Sequence, residues 1–308
     1  MDDKIAIVDL GTNTFHLLLA QSHSGNYSIL HQKRVPVKIG VGGINSNIIT
    51  DAGIARAIEA MKNFNIILNQ NNVSKVYAFG TSALRNASNG KDVAQKIKTE
   101  TGIDVRIISG NEEADYIYEG VRAAIHIAET SLIVDIGGGS VEFVIGNHKG
   151  IIWKQSFEIG AQRLLEKFQK HDPILASEIK ELKSFLECSL PPLFDSIEKY
   201  KPQVLIGSSS TFDTLSEIHC IRNGLRYDPA APETPLSFKS FYEIFHELIK
   251  KNRVERLQIP GMIEMRVDMI VVSCCLIDYL LDCYKNFQSL RVSSYSLKEG
   301  VLATLTQR

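Results

Sequence analysis

The sequence contains no GxxxxGK[ST] segment and no GxGxxG opening a helix, so the usual signatures of P-loop and Rossmann nucleotide binding are missing. Its eight histidines include no HExxH or HxxxH pair, which leaves a histidine-built metal site without support. Cysteine is scarce: Cys188, Cys220, Cys274, Cys275 and Cys283 are odd in number and lack paired ligand spacing. They read as reduced thiols of a cytoplasmic protein rather than a disulfide framework or a zinc site. Charge of one sign is also absent, with 34 Lys+Arg against 35 Asp+Glu. No global field draws in nucleic acid or an anionic membrane, and an anionic substrate must be met by a local patch. The single tryptophan, Trp153, and the scattered tyrosines offer no stacking platform with interleaved basic residues. The longest apolar stretch, Met269 to Leu281, is interrupted by Asp278 and falls short of a bilayer span. Met1 to Gly11 has neither the basic start nor the long apolar core of a signal peptide.

What the sequence does have is a repeat. Val8-Asp9-Leu10-Gly11-Thr12-Asn13-Thr14-Phe15-His16 aligns without a gap with Val134-Asp135-Ile136-Gly137-Gly138-Gly139-Ser140-Val141-Glu142. In each copy an apolar run ends in an aspartate, small residues follow, and a second run of β-formers departs. This predicts a strand, a tight turn and a strand, used twice. Copies more than about 100 residues apart are too far for a solenoid unit and imply two related domains, each offering one hairpin to a shared cleft. The 308 residues, 44% of them apolar, suffice for a core in each. The expected division is 1–124 and 125–308, with a C-terminal helix of about 297–308 packing back on the first domain.

Periodicity fills in the elements between the hairpins. Lys4 to Leu10, Phe15 to Ala20, Tyr27 to Gln32 and Val35 to Ile39 predict a meander of strands. Ile54, Ala57, Ile58, Met61, Phe64 and Leu68 mark a helix behind Thr50 or Asp51 as cap. Buried strands are expected at Val76 to Gly80 and Val105 to Ser109, and a further helix carries Ala114, Ile117, Tyr118, Val121 and Ala124. The second half repeats this order in outline, with a strand at Val204 to Gly207. Arg222 to Ser237, with Pro229, Pro232 and Pro235, is expected to be an exposed loop.

The chemistry falls at the turns. Gly11, Thr12, Asn13 and Thr14, and likewise Gly137, Gly138, Gly139 and Ser140, combine small residues, exposed backbone N–H groups and hydroxyls, as phosphate binding requires. One such turn alone is more simply a hairpin turn; its repetition, each time beside an aspartate at the end of a buried strand, favours phosphate. Asp9 and Asp135 in that position call for a cation, and phosphates carried with Mg²⁺ supply one. Ser109 to Glu112 fits a capping box that accounts for Glu112. Glu113, about 100° further round the helix, has no such duty, and its residues alone leave function and a solvated first-turn glutamate evenly matched. Arg85 is by itself more simply a helix-start arginine. Gly207 to Thr211, including Ser209 and Thr211, is a third hydroxyl-rich turn, open to phosphate or to a helix N-cap role.

These segments together resemble the exopolyphosphatase / guanosine pentaphosphate phosphohydrolase family of the actin, Hsp70 and sugar-kinase superfamily. The matching stretches are VDLGTNTFHLLLA from Val8, FGTSALRNASN from Phe79, IISGNEEADYIYEGV from Ile107 and IVDIGGGSVEFVIG from Ile133. IGAQRL from Ile159, ERLQIPGMIEMRVDMI from Glu255 and VSSYSLKEGVL from Val292 continue the order across nearly the whole chain. The resemblance implies an α/β fold of two actin-like (ribonuclease H-like) domains, each a mixed five-stranded sheet with helices, and an active site in the interdomain cleft. It implies a homodimer and an Mg²⁺-dependent hydrolase acting on inorganic polyphosphate. The same catalytic parts would serve guanosine pentaphosphate, and a non-catalytic sensor on the same fold is the alternative outside enzymes. By position, Glu113 would activate the attacking water. Asp135 and Glu142, with Asp9, would hold the metal; Arg85, the two hairpin turns, Ser209 and Thr211 would hold phosphate. The sequence departs from the family pattern at Asp115, Ser210, Asp213 and Lys298, each a loss of charge, flexibility or a bidentate fork. Longer members of the family carry extra C-terminal helical domains that extend the polyphosphate channel; without them in this sequence, weaker processivity on long chains is expected.

Overall fold

The computed structural model describes residues 3–23 and 26–306. The outermost residues of the expected domains, 1–2 and 307–308, therefore lie outside the described residues. The chain forms two compact units, Met1–Gly120 with Leu297–Arg308, and Val121–Ser296.

The first unit contains strands β1 (Lys4–Leu10), β2 (Thr14–His23) and β3 (Asn26–Pro36), helix α1 (Asp51–Gln70) and strand β4 (Lys75–Gly80). Helices α2 (Ser82–Asn86) and α3 (Gly90–Thr101), strand β5 (Val105–Ile107) and helix α4 (Gly110–Ala124) follow. Its sheet runs β3-β2-β1-β4-β5. The β1–β2–β3 meander is antiparallel, and β4 and β5 are added in parallel. One β3 replaces the two strands expected at Tyr27 to Gln32 and Val35 to Ile39: pairing with β2 carries the strand through Lys33 and Arg34, past a register shift at Leu19/Ala20. Alternation selects Ala6, Val8, Leu17 and Leu19 for one face, where they meet Ala57, Met61, Phe64 and Leu68 of α1 and Val93 and Ile97 of α3. Helix α1 begins where expected, the Thr50 hydroxyl accepting from the Gly53 N–H at 3.2 Å.

The second unit contains β6 (Ser131–Ile136), β7 (Val141–Asn147), β8 (Gly150–Phe157), α5 (Ala161–Phe168), α6 (Ala176–Ser189) and α7 (Pro191–Tyr200). It continues with β9 (Val204–Ser208), α8 (Ser210–Arg222), β10 (Glu233–Thr234), α9 (Phe238–Leu248), α10 (Arg253–Leu257), α11 (Ile270–Cys283) and β11 (Ser289–Ser293). Its sheet order is β10-β11-β9-β6-β7-β8. From β8 to β11 this repeats the first sheet strand for strand, with β6 in the place of β1. The sheet has six strands rather than the expected five. Glu233 and Thr234, inside the segment expected to be loop, pair antiparallel with Ser293 and Val292, a two-residue edge strand too short to leave a periodicity. The Arg291 guanidinium grips Glu233 with Nε and Nη2, both at 2.6 Å, and fastens that edge.

Helix α12 (Leu297–Thr306) returns to the first unit and packs on β1 and β3. A Cβ at Gly300 would lie 1.7 Å from the Tyr116 carbonyl oxygen, so only glycine allows the approach of α12 to α4. Among the described residues no helix is long and apolar enough to cross a membrane. All five cysteines are free; burial pushes the Cys275 thiol up to about 12 and Cys274 well above its ordinary value.

Candidate functional site

Each sheet carries a hairpin turn at the end of its first strand, and the two turns are built alike. A Cβ at Gly11 would fall 2.8 Å from the Thr14 carbonyl oxygen, and one at Gly137 would fall 2.9 Å from that of Ser140. Both positions need glycine for the same steric reason.

The turn carbonyls are consumed from behind. In the second unit the backbone N–H groups of Ala161, Gln162 and Gly160, at the start of α5, donate to the carbonyls of Gly137, Gly138 and Gly139 at 2.9, 2.8 and 3.1 Å. Arg163 Nε adds a bond to the Gly139 carbonyl at 2.9 Å. Because C=O and N–H point oppositely across a planar trans peptide, the N–H groups of Gly138, Gly139 and Ser140 are turned to the other side. The first unit does the same with a loop: Lys38 and Gly40 donate their N–H groups to the carbonyls of Asn13 and Thr12 at 2.9 and 3.1 Å. The N–H groups of Asn13 and Thr14 are turned away in consequence. Each turn thus presents consecutive peptide donors to one side, the arrangement that receives an anion.

The turn of the second unit depends on a glycine that sequence reasoning missed. A Cβ at Gly160 would lie 2.4 Å from the Gly139 carbonyl carbon and 2.5 Å from Gly138 backbone atoms. Gly160→Ala is therefore expected to displace the turn, lowering phosphate affinity and costing roughly 100-fold in turnover efficiency, the scale of a 1 Å misplacement. Steady-state kinetics on the purified variant check this; wild-type kinetics would refute it.

Strand register brings the carboxylates together. Asp135 lies directly opposite Glu142 across β6 and β7, so their side chains leave the same face as neighbours. Both are buried, at 6% and 1% exposure. Ser156, opposite Glu142 on β8, donates to its Oε1 at 2.7 Å. Ser208, opposite Asp135 on β9, donates to its Oδ2 at 2.9 Å. In the first unit the equivalent pair is Asp9 opposite His16, so only the second hairpin places two carboxylates side by side. Paired hard oxygen donors suit Mg²⁺, which binds through one or two carboxylates and completes its shell with water and substrate phosphate. Among the described residues no three His, Cys, Asp or Glu side chains form a cage.

Glu113 and Arg85 also meet. Helix α4 starts with the Ser109 hydroxyl accepting from the Glu112 N–H at 3.1 Å, and the Glu112 carboxylate pairs with Arg106 at 2.6 Å. That leaves Glu113 on a different face, 8% exposed, with Oε2 accepting from Arg85 Nη1 at 2.8 Å. The same Nη1 reaches the Ile108 carbonyl at 3.2 Å. The two residues singled out separately in the sequence are thus one ion pair, held at the ends of α2 and α4 within the first unit.

The third turn, at the start of α8, is arranged differently. The Ser209 hydroxyl donates to the Ile136 carbonyl at 3.1 Å, just as the Thr81 hydroxyl donates to the Leu10 carbonyl at 3.3 Å in the first unit. Ser209 holds φ at 74°, a left-handed conformation that a serine adopts at some cost in strain. Thr211 is buried in the first turn of α8. Ser210 accepts from Arg266 Nη2 at 2.6 Å, which brings a guanidinium, absent from the sequence expectations, beside this helix start. Lys298, by contrast, is taken up by its neighbour Glu299 at 2.9 Å.

The architecture is that of two actin-like α/β domains, each with its hairpin turn at the head of a mixed sheet. Residues 18–308 match the model of the Ppx/GppA phosphatase family, and the chain belongs to that family. It is similar to the crystal structure of an exopolyphosphatase from Cytophaga hutchinsonii, with a TM-score of 0.95 and 41% identity over 99% of this chain and 98% of that one. A Ppx/GppA family member from Aquifex aeolicus superposes with a TM-score of 0.79 and 25% identity, over 99% of this chain and 97% of the other. Exopolyphosphatase 1 of Mycobacterium tuberculosis is 23% identical, over 97% of this chain and 87% of its own length.

Proposed function

We propose that the protein is an exopolyphosphatase, which transfers the terminal phosphoryl group of inorganic polyphosphate to water. The observation that carries this reading is the duplicated turn whose carbonyls are tied down from behind, so that its N–H groups are turned to the other side as anion binding requires. The full-length likeness to an exopolyphosphatase at 41% identity supports the choice of substrate.

In this reading Gly11 to Thr14 and Gly137 to Ser140 hold phosphate oxygens through backbone N–H groups and the hydroxyls of Thr12, Thr14 and Ser140, with Thr211 and the start of α8 adding donors. Asp135 and Glu142 would hold Mg²⁺, and the bound ion would supply positive charge to offset that of the phosphate oxygens. Asp9, facing His16 in the first unit, completes the acidic set expected from the sequence. Glu113 accepts a proton from water as that water attacks the terminal phosphorus; the anhydride bond breaks, the shortened chain departs as the leaving group with the bridging oxygen, and the attacked phosphoryl group becomes orthophosphate. Arg85 orients Glu113 through its Nη1, and its guanidinium is the phosphate-binding cation of this reading. In the same reading the protein works as a homodimer in the cytoplasm.

Phosphate release measured side by side from long polyphosphate, short polyphosphate and guanosine pentaphosphate, with and without Mg²⁺, tests the proposal. Mg²⁺-dependent release with the highest efficiency on polyphosphate is the expected result. Preference for guanosine pentaphosphate would reassign the substrate, and no metal-dependent release from any of the three would leave only a binding role.

A further inference from the structure

The carboxylate pair sits in a longer row. Register aligns Glu233, Ser293, Ser208, Asp135, Glu142 and Ser156 across all six strands of the second sheet. Hydroxyls flank both acids. Asp135 receives a second one from outside the sheet: Ser296, three residues beyond β11, donates its Oγ–H to the same Oδ2 at 2.5 Å. The position of Ser296 is set by a local turn, in which Tyr295 N–H donates to Ser293 Oγ at 3.2 Å and the Ser293 hydroxyl donates to the Tyr295 carbonyl at 2.8 Å. Ser208 also lies 3.2 Å from that carbonyl. It has one proton to give, the carbonyl already has the Ser293 hydroxyl, and the carboxylate is both nearer and charged. Oδ2 of Asp135 is thus gripped by two hydroxyls, one fully buried on β9 and one from the segment that leads out of the second unit.

We infer that Ser296, acting together with Ser208, is a positioning residue that fixes the Asp135 carboxylate for the divalent cation and so sets cation affinity. The inference rests on the proposed role of Asp135. Two donors on one oxygen hold the side chain in a single orientation, and such outer partners typically govern 10- to 100-fold of metal affinity. Ser156 on Glu142 Oε1 is the counterpart on the other acid.

The test is Mn²⁺ binding to the substrate-free protein, followed by the electron paramagnetic resonance signal of free Mn²⁺, with Mg²⁺ dependence of phosphate release measured in parallel. Ser296→Ala and Ser208→Ala are each expected to weaken Mn²⁺ binding about 10-fold or more. The Mg²⁺ needed for half-maximal rate should rise likewise, while the rate at saturating Mg²⁺ stays near wild type, and Ser296→Thr should restore affinity. A merely structural serine would not give a defect that excess metal cures and threonine rescues. Wild-type Mn²⁺ affinity in both alanine variants, with binding lost in Asp135→Asn, would overturn this inference alone. Undiminished binding in Asp135→Asn would overturn the assignment of the cation to Asp135 as well.

Discussion

Glu113→Gln is expected to lower the rate constant for phosphate release by about 10³-fold or more, at the upper part of the range for loss of a general base. Polyphosphate binding should change by only a few-fold. Glutamine is nearly isosteric and its amide oxygen still accepts from Arg85 Nη1, so the geometry of α2 and α4 has no reason to change. What disappears is the negative charge that takes a proton from water. Single-turnover release from polyphosphate, paired with equilibrium binding of the same chains, separates the two effects. A variant that retains a tenth of wild-type turnover would remove Glu113 from the chemistry. Arg85 makes the substitution more informative, because the pair is a carboxylate and a phosphate-seeking cation already in contact. An incoming phosphate that engages other N–H groups of the guanidinium leaves Glu113 oriented from behind, whereas loss of the guanidinium disturbs both tasks.

Asp135→Asn and Glu142→Gln carry the second large effect. Either change leaves a hydrogen-bonding side chain of the same size in the buried row, so folding should survive, but it halves the charge offered to a cation that prefers anionic oxygen. Each is expected to reduce activity at millimolar Mg²⁺ by about 10²-fold or more, a loss of several kcal/mol of charge stabilisation. Titration of activity against Mg²⁺ and Mn²⁺ is the measurement. A variant with unchanged metal dependence and unchanged rate would place the cation elsewhere.

The hairpins were legible in the sequence because everything that defines them is local. Apolar runs of strand length, an aspartate at the strand end and a glycine compelled by a carbonyl three residues on all lie within about a dozen positions. Helix α1 was legible for a similar reason, its stripe from Ile54 to Leu68 and its Thr50 cap being short-range signals. The mixed sheets of an α/β protein followed from element order. Glu233 and Thr234 were hidden because two residues cannot show alternation, and their pairing with β11 is a contact between distant parts of the chain. Gly160 was hidden for the same physical reason. It stood within the matched stretch IGAQRL with no role attached, and its necessity appears only when its missing Cβ is measured against Gly138 and Gly139. Ser156 and Ser208 belong to the same group: a one-residue change of register would move each to the opposite face, so their roles depend on pairing that composition cannot express. Ser296 lies outside the sheet and meets Asp135 only because of the turn beyond β11. Arg266 stood within a matched segment, and only its meeting with Ser210 singles it out. Local rules therefore located the turns and the side-by-side acids, while the parts that hold them in place required coordinates.

Hydrolysis of polyphosphate in ¹⁸O-enriched water, with products of the first turnover resolved by mass spectrometry, tests the central claim most directly. The account predicts a single ¹⁸O in each released orthophosphate, none in the shortened chain, and loss of labelled product in Glu113→Gln. Label in the chain instead of the orthophosphate, or labelled orthophosphate formed as fast by Glu113→Gln as by the wild type, would contradict it.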